Sequence, residues 1–377
     1  MNYQEPLMSL ELRSKLSPKG QIELSLQQTS MGRPAAYEII VRVDAAPVNP
    51  SDLGMLLGPA DPSKATVEGA GENKQLLIPL LPAHVNALAR RVNLSLCPGL
   101  ESAGTVIAAG SDCEHLLGKT VAMFGGEMFA QYRKTRPSEC MVFPEGTSPA
   151  KCAAAFVNPL TALCMLESLR REGHKAMVHT AAASNLGQML VKLCNEEDVD
   201  LINVVRREEQ AEILRAIDAR YICDSTSPNF VAELTEMLRE TGATLAFDAI
   251  GGGNMAATII QAMENVYAPE EYYIYGSRVH KQMYVYGVLD ASPIQIFRGA
   301  GNAWSVSGFL MMNYLAKLEP ETVQKMKERI VSQIDSNFSS HYTAEISFGD
   351  MLDITTLTAI ASRSTGAKYL LCPNKMT

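Results

Sequence analysis

The sequence has little of what marks secreted, fibrous or membrane-spanning chains. Its eight cysteines stand at 97, 113, 140, 152, 164, 194, 223 and 372, none of them as a C-x-x-C pair. That spacing gives neither a zinc framework nor a disulfide ladder, and reads as reduced thiols in a cytosolic, cytoplasmic protein. No run of 18 apolar residues is present, so no transmembrane helix and no membrane partner is expected. Residues 1–15 lack an apolar core and carry Glu5 and Glu11, which argues against a secretory signal or a mitochondrial transit peptide. An excess of basic charge is missing too. Lys and Arg number 33 against 41 Asp and Glu, a formal net charge of −8. Such a surface repels nucleic acid, so any phosphate site must be a local pocket. Repeats and low-complexity tracts are absent.

What is there is a chain of 377 residues, 47% hydrophobic and 20% charged. That is enough for two or three domains with real cores. Residues 1–150 read as short strands, at 21–26, 38–45, 104–109, 120–124 and 129–132, punctuated by Gly and Pro. The pattern predicts an all-β, barrel-like module. Within it, residues 58–95 are rich in Gly, Pro, Ala and charge, then helical around 83–91. So long an excursion is either a functional lid or a plain surface insertion.

From residue 151 helices and strands alternate. A helical approach over 149–169, interrupted at Asn158-Pro159, leads to strands at 176–180, 200–205, 220–224, 244–248 and 283–288. Between them lie helices at 185–194, 208–217, 229–239 and 255–264. Short apolar strands alternating with helices predict an α/β domain, a doubly wound parallel sheet, over 151–315. Residues 316–377 hold two helices, a strand near 342–346, a helix over 350–362 and a strand at 368–371, and are expected to return to the first domain.

The most informative run is the strand–turn–helix around Ala181-x-x-Ser184-x-x-Gly187, a degenerate G-x-G-x-x-G. Leu186, Met189, Leu190, Leu193 and Cys194 share one helix face, and Ser184 suits the N-cap. Small residues here let a pyrophosphate approach the helix amides, which assigns Ala182, Ala183, Ser184, Asn185, Leu186 and Gly187 to a cofactor site. Small residues at such a junction also serve close packing alone. The second strand ends in Arg206 and Arg207, with Arg206 19 residues after Gly187. An acidic residue about 20 residues on would suit the ribose of NAD, whereas an arginine accommodates the extra phosphate, so NADPH is favoured. The other reading pairs these arginines with Glu208 and Glu209.

These residues resemble the zinc-independent branch of the medium-chain dehydrogenase/reductase superfamily, which includes NADPH:quinone reductases and 2-enoyl thioester reductases. The resemblance runs from about residue 37 to 373. It rests on the order of Val43–Asp52, Pro98–Val106, Gly118–Ala122, Asn158–Ala162, the Ala181–Gly187 turn, Phe247–Gly252 and Ser364–Lys368. It implies a GroES-like catalytic barrel with a Rossmann domain inserted. Where zinc-dependent relatives place a cysteine ligand, Asn49-Pro50-Ser51-Asp52 stands instead, so no metal is expected. The enoyl reductases carry a proton-donating Tyr soon after this stretch, and here no Tyr stands between Asp52 and Tyr132. Ser184 and Asn185 replace two family glycines.

By family position Asn49 and Thr161 would lie near the nicotinamide, with Asn49 donating through its amide. Gly287 and Val288, at a strand end near the switch region, join the cofactor residues. Tyr284 and Tyr286 share a face there, and Tyr286 stands beside Asn49 as a catalytic candidate. Asn49 could equally stabilise its loop, the Thr161 hydroxyl could bond its own helix, and Tyr286 could simply pack. His179 reads as structural. A quinone needs no strong protein acid, whereas an enoyl thioester needs a proton at its α-carbon. The expected activity is therefore hydride transfer from NADPH to a quinone or activated enone. The alternatives are a 2-enoyl thioester reductase, a non-catalytic NADPH-binding protein and an interaction module without nucleotide. The resemblance implies a homodimer, and the Tyr-, Met- and Val-rich region 274–289 fits either a sheet edge at its interface or a buried strand. The unusual stretch 268–280, with Tyr272, Tyr273 and Tyr275, is expected to shape the substrate pocket together with 58–95.

Overall fold

A computed structural model describes residues 6–269, 274–296, 299–362 and 367–375. The chain divides into two units, Met1–Val157 with Arg329–Thr377, and Asn158–Glu328.

The first unit is built on two sheets. A hairpin of β1 (Leu7–Leu16) and β2 (Gln21–Met31) turns at Ser17-Pro18-Lys19-Gly20, where the Gly20 amide donates to the Ser17 carbonyl at 3.0 Å. Pro at the second position presets φ, and Gly20 sits at φ +77°. Leu12, Leu16, Ile22 and Leu24 point inward and are fully buried. Strands β3 (Ile39–Pro47), β4 (Thr66–Glu68), β5 (Gln75–Pro79) and β6 (Ser95–Leu96) follow. The first sheet runs β4-β5-β2-β1-β6.

Residues 58–95 are therefore not a lid over the barrel. β5 pairs with β2 from Gln21↔Pro79 to Ser25↔Gln75, and Leu76 and Ile78 are fully buried in the core. The helical part shrinks to α2 (Pro82–Ala87), after α1 (Pro50–Leu56).

The second sheet contains β7 (Glu101–Ala109), β8 (Thr120–Phe124), β9 (Tyr132–Thr135) and β10 (Cys140–Val142). Its order is β10-β8-β7-β3, with β9 also on β3. Two strands from the far end of the chain, β17 (Ala344–Ile346) and β18 (Tyr369–Leu371), complete it through Leu370↔Pro47 and Leu371↔Ala46. Between them, the single helix read over 350–362 is two. Ser347 caps Phe348–Met351, and Asp353 caps Ile354–Ala361 by accepting the Thr356 amide at 2.8 Å. A second N-cap aspartate two residues into the pattern starts a new helix.

Among the described residues the second unit carries six parallel strands: β11 (Ala176–Thr180), β12 (Asp200–Val205), β13 (Tyr221–Asp224), β14 (Leu245–Asp248), β15 (Lys281–Val285) and β16 (Trp304–Gly308). Their order, β13-β12-β11-β14-β15-β16, is that of doubly wound dinucleotide folds, with the switch point between β11 and β14. Val178, Ile202, Ala246 and Met283 lie in register across one face and bury against Phe230, Leu234, Ile259 and Ile260. The helices in chain order are α3 (Pro149–Cys152, in the first unit), α4 (Val157–Arg171), α5 (Asn185–Glu196), α6 (Glu208–Arg215), α7 (Phe230–Thr241), α8 (Met255–Tyr267), α9 (Met311–Leu315) and α10 (Pro320–Ser332).

β15 is interior, because β16 flanks it, so region 274–289 is not a sheet edge; the edges are β13 and β16. Trp304-Ser-Val-Ser-Gly308 is short and mostly polar, which hides it as a strand. Two sequence expectations need correction. The helical approach breaks at 153–156, not at Asn158-Pro159, and Pro159 sits in the first turn of α4, where a missing N–H costs nothing. Finally, Pro149–Arg171 is long and apolar enough to cross a membrane, but 83% of its most apolar window is buried inside the protein, as in a core helix. Tyr272 and Tyr273 lie outside the described residues, as does most of the Ser364–Lys368 segment.

Candidate functional site

In the second unit the site residues gather at the carboxyl ends of β11, β14 and β15. Ala181 leaves β11 at φ +51°, a left-handed conformation that favours glycine and turns the chain sharply into α5. Ser184 then caps α5, its Oγ accepting from the Gly187 amide at 3.2 Å. Gly187 is required by close approach, since a Cβ there would stand 2.0 Å from the Ala182 carbonyl oxygen. Among the described residues no acceptor takes the Ala183 or Leu186 amide. The turn thus offers small residues, outward amides and a helix N-terminus, a cradle that fits a pyrophosphate.

The neighbouring loops are tied to this turn by Asp248, which is fully buried. Its Oδ1 accepts from Thr180 Oγ1 at 2.6 Å and from the Ile250 amide at 3.0 Å, and its Oδ2 accepts from the Gly251 amide at 3.1 Å. The Tyr286 amide donates to the Asp248 carbonyl at 2.9 Å. Gly287 follows, with the Ala249 carbonyl 2.3 Å from where its Cβ would be. Val288 is exposed. Asp248 was not singled out in the sequence, although an aspartate ending a strand one residue before a small-residue turn was the available signal.

Arg206 and Arg207 leave the end of β12 exposed to solvent. The Arg206 amide donates to Gln210 Oε1 at 3.0 Å, and its guanidinium forms no ion pair among the described residues. Glu208 is taken by Arg215, at 2.5 Å. Thr161 is buried on α4.

Tyr286 is half-buried, its hydroxyl 2.7 Å from His179 Nε2 and its ring within 12° of parallel to the imidazole. Burial pushes the Tyr286 phenol up, with the Asp248 charge adding to it. Tyr284 points to the same face but donates to Glu172 at 2.7 Å. His179 is fully buried, and burial lowers its pKa to about 3. The unfolded imidazole titrates near 6.5, so this neutral histidine contributes stability that is complete above that value and is lost as the pH falls through about 3. Trp304, the sole tryptophan, reports on this unit. Its fluorescence should show a urea midpoint falling between pH 7 and pH 4, and His179→Phe should flatten that fall.

In the first unit Asn49 opens α1 and is 3% exposed. Its Nδ2 donates to Glu101 Oε1 at 2.9 Å, and its backbone amide donates to Asp52 Oδ2 at 2.9 Å. Asp52 Oδ1 accepts from the Leu100 amide at 2.9 Å. Glu101 Oε2 accepts from the Phe156 and Val157 amides at 3.0 and 2.8 Å, which explains the break before α4. Both carboxylates are fully buried. Burial raises Asp52 to about 7, with Glu101 adding and two amides opposing. Burial raises Glu101 as well, opposed first by the charge of Lys368. Lys368 is itself pushed down by burial, and its Nζ has no hydrogen-bond partner among the described residues. Asp52, Glu101 and Lys368 stood in the sequence without a role; an acid three residues after an N-cap Asn was the only signal. Among the described residues no three His, Cys, Asp or Glu side chains gather as a metal-binding group.

No family model matches the chain. It is 26% identical over 167 residues to the synaptic vesicle membrane protein VAT-1 homolog of Rattus norvegicus, covering 43% of this chain and 41% of that one. It is 25% identical over 237 residues to the mitochondrial enoyl-[acyl-carrier-protein] reductase 2 of Debaryomyces hansenii, covering 57% and 58%. The match thus spans less than two thirds of these relatives' lengths. Among solved structures, one assigned as an NADPH:quinone reductase from Mesorhizobium loti superposes with a TM-score of 0.73 at 22% identity, over 99% of this chain and all of that one. The Etr1p complex with NADP and crotonyl-CoA superposes with a TM-score of 0.69 at 17% identity, over 97% and 100%. These likenesses are of fold: the chain shares with both solved structures an architecture of one largely antiparallel unit and one parallel-sheet unit.

Proposed function

We propose that this chain is an NADPH-dependent, zinc-independent oxidoreductase that reduces a quinone or activated enone. The observation that carries this reading is the turn at the β11/β14 switch point, with Gly187 packed on Ala182 and an unpaired Arg206 at the end of β12. Ala182, Ala183, Ser184, Asn185, Leu186 and Gly187 would hold the pyrophosphate. Arg206 and Arg207 would hold the 2′-phosphate, and Thr161, Gly287 and Val288 the nicotinamide end. When bound, NADPH supplies the hydride. The chain's own residues bind, orient and keep water out. Neither Asn49, tied to Glu101, nor Tyr286, paired with His179, is a free acid, which suits a quinone whose reduced oxygens water can protonate.

The test is a titration with NADPH and NADH, followed by nicotinamide fluorescence. NADPH should bind at least tenfold tighter, a difference of about 1.4 kcal/mol, and replacing Arg206 and Arg207 with Ala should erase it. Equal affinities would demote the arginines to surface charge, and no binding of either would remove the enzyme reading. A second reading, 2-enoyl thioester reduction, is favoured by the likeness to the crotonyl-CoA complex of Etr1p. NADPH oxidation by benzoquinone, an enone and a crotonyl thioester separates the two; turnover of the thioester alone would overturn the quinone reading. We infer a cytoplasmic homodimer, with β16 as the edge open to a second copy, and light scattering checks its mass.

A further inference from the structure

The densest unassigned chemistry in the first unit is the cluster of Asp52, Glu101 and Lys368 around Asn49. Glu101 accepts from three donors, the Asn49 Nδ2 and the Phe156 and Val157 amides. A carboxylate can accept all three, whereas a neutral amide in its place has one acceptor oxygen and must oppose donor to donor at the other position. The two ends of an asparagine amide differ only in hydrogen bonding, so the partner decides which way the group points. With an ionised Glu101, Nδ2 faces the carboxylate and Oδ1 faces away. Asp52 fixes the backbone of the same residue by accepting its amide, and bonds the Leu100 amide that precedes Glu101. Lys368 approaches from the β18 side. Its charge acts on both carboxylates, and its Nζ lies 6.0 Å from the ring centre of Tyr342.

We propose that Glu101 is a positioning residue that orients the Asn49 side-chain amide, with Lys368 keeping Glu101 ionised and Asp52 fixing the Asn49 backbone. Asn49 Oδ1 is then turned to the Asp52 amide at the start of α1, while Nδ2 is held by Glu101. Asn49 does not serve as the donor to an oxyanion that its place in the superfamily had implied. This inference rests on the reductase reading for its kinetic consequence but not for its geometry.

The experiment combines nuclear magnetic resonance of protein labelled with 15N-asparagine and NADPH-oxidation kinetics with benzoquinone. In the wild type, one Asn49 Nδ2 proton should be deshielded and slow to exchange. In Glu101→Gln that signature should vanish, and kcat should fall at least tenfold while NADPH affinity stays within twofold. In Lys368→Met, which leaves every hydrogen bond of Glu101 in place, Glu101 should hold its proton to higher pH. A protonated Glu101 can donate to Oδ1 and release the amide, so the acid limb of kcat should move upward by at least one pH unit. The titrating groups around it are Asp52, Lys368 and Tyr342, and the limb in Asp52→Asn separates the first from Glu101. An averaged, rapidly exchanging Asn49 amide in the wild type would overturn the proposal, and so would an unmoved acid limb in Lys368→Met. If wild-type protein oxidises NADPH with no quinone, enone or thioester, the reductase reading falls, while the Asn49 resonances still decide the orientation.

Discussion

Gly187→Ala should cost more than tenfold in NADPH affinity and about 2 kcal/mol or more in the stability of the second unit. The added methyl would meet backbone, the Ala182 carbonyl oxygen at 2.0 Å and its carbon at 2.6 Å, with no flexible side chain to give way. α5 must lift off β11, and its first amides leave the pyrophosphate cradle with it. Because Asp248 ties the same turn to the β14 loop, the displacement should spread to Ile250 and Gly251. Gly54→Ala is the control. It lies in α1 with nothing within 4 Å of the added atom, and should leave stability equal or raise it by a few tenths of a kcal/mol up to about 1. Isothermal titration with NADPH gives the affinities, and urea unfolding gives the stabilities, read by Trp304 for Gly187→Ala and by circular dichroism for Gly54→Ala. Unchanged affinity in Gly187→Ala would mean that the turn only packs.

The second large effect is expected at a buried ion pair away from the site. Lys281, fully buried at the start of β15, pairs with Glu264 on α8, which also accepts the Ser277 amide at 2.7 Å. Gly276 and Gly301 press so close that a Cβ on either would collide with the Glu264 carboxylate. Removing one partner leaves a charge buried without compensation. Lys281→Met and Glu264→Leu should each cost about 3–5 kcal/mol. The double variant Lys281→Met with Glu264→Leu should recover part of that, because no charge is then stranded. A double-mutant cycle on urea unfolding checks this, and additive losses would contradict it.

The parts of the fold that were legible from sequence are those whose residues obey one rule at a time. Strands β11, β12 and β14 are buried on both faces, so they read as apolar runs, and α5 shows a clean stripe from Leu186 to Cys194. β1 was missed because its buried positions are Ser9, Leu12, Ser14 and Leu16; two buried serines break the alternation. β5 was hidden inside a stretch whose Gly and Pro content suggested a lid. The Ala181–Gly187 turn could be found because backbone geometry writes itself into small residues. The Asn49 cluster could not, since Asp52, Glu101 and Lys368 come from three distant segments and single-residue chemistry carries no sign of who meets whom.

The second unit is one continuous stretch, Asn158–Glu328, whereas the first is interrupted and needs β17 and β18 from the last part of the chain. On the ribosome this imposes a sequence of events. The parallel sheet has all of its strands once residue 308 has emerged, and can close around its own core while the barrel still waits. Until Leu370 and Leu371 arrive, the Ala46–Pro47 end of β3 offers open backbone groups to any passing strand. Chaperone demand during synthesis should therefore concentrate on the barrel. A nascent chain stalled close to residue 368, with the second unit clear of the exit tunnel and β18 still unmade, should already resist protease across the second unit while being cut in the first.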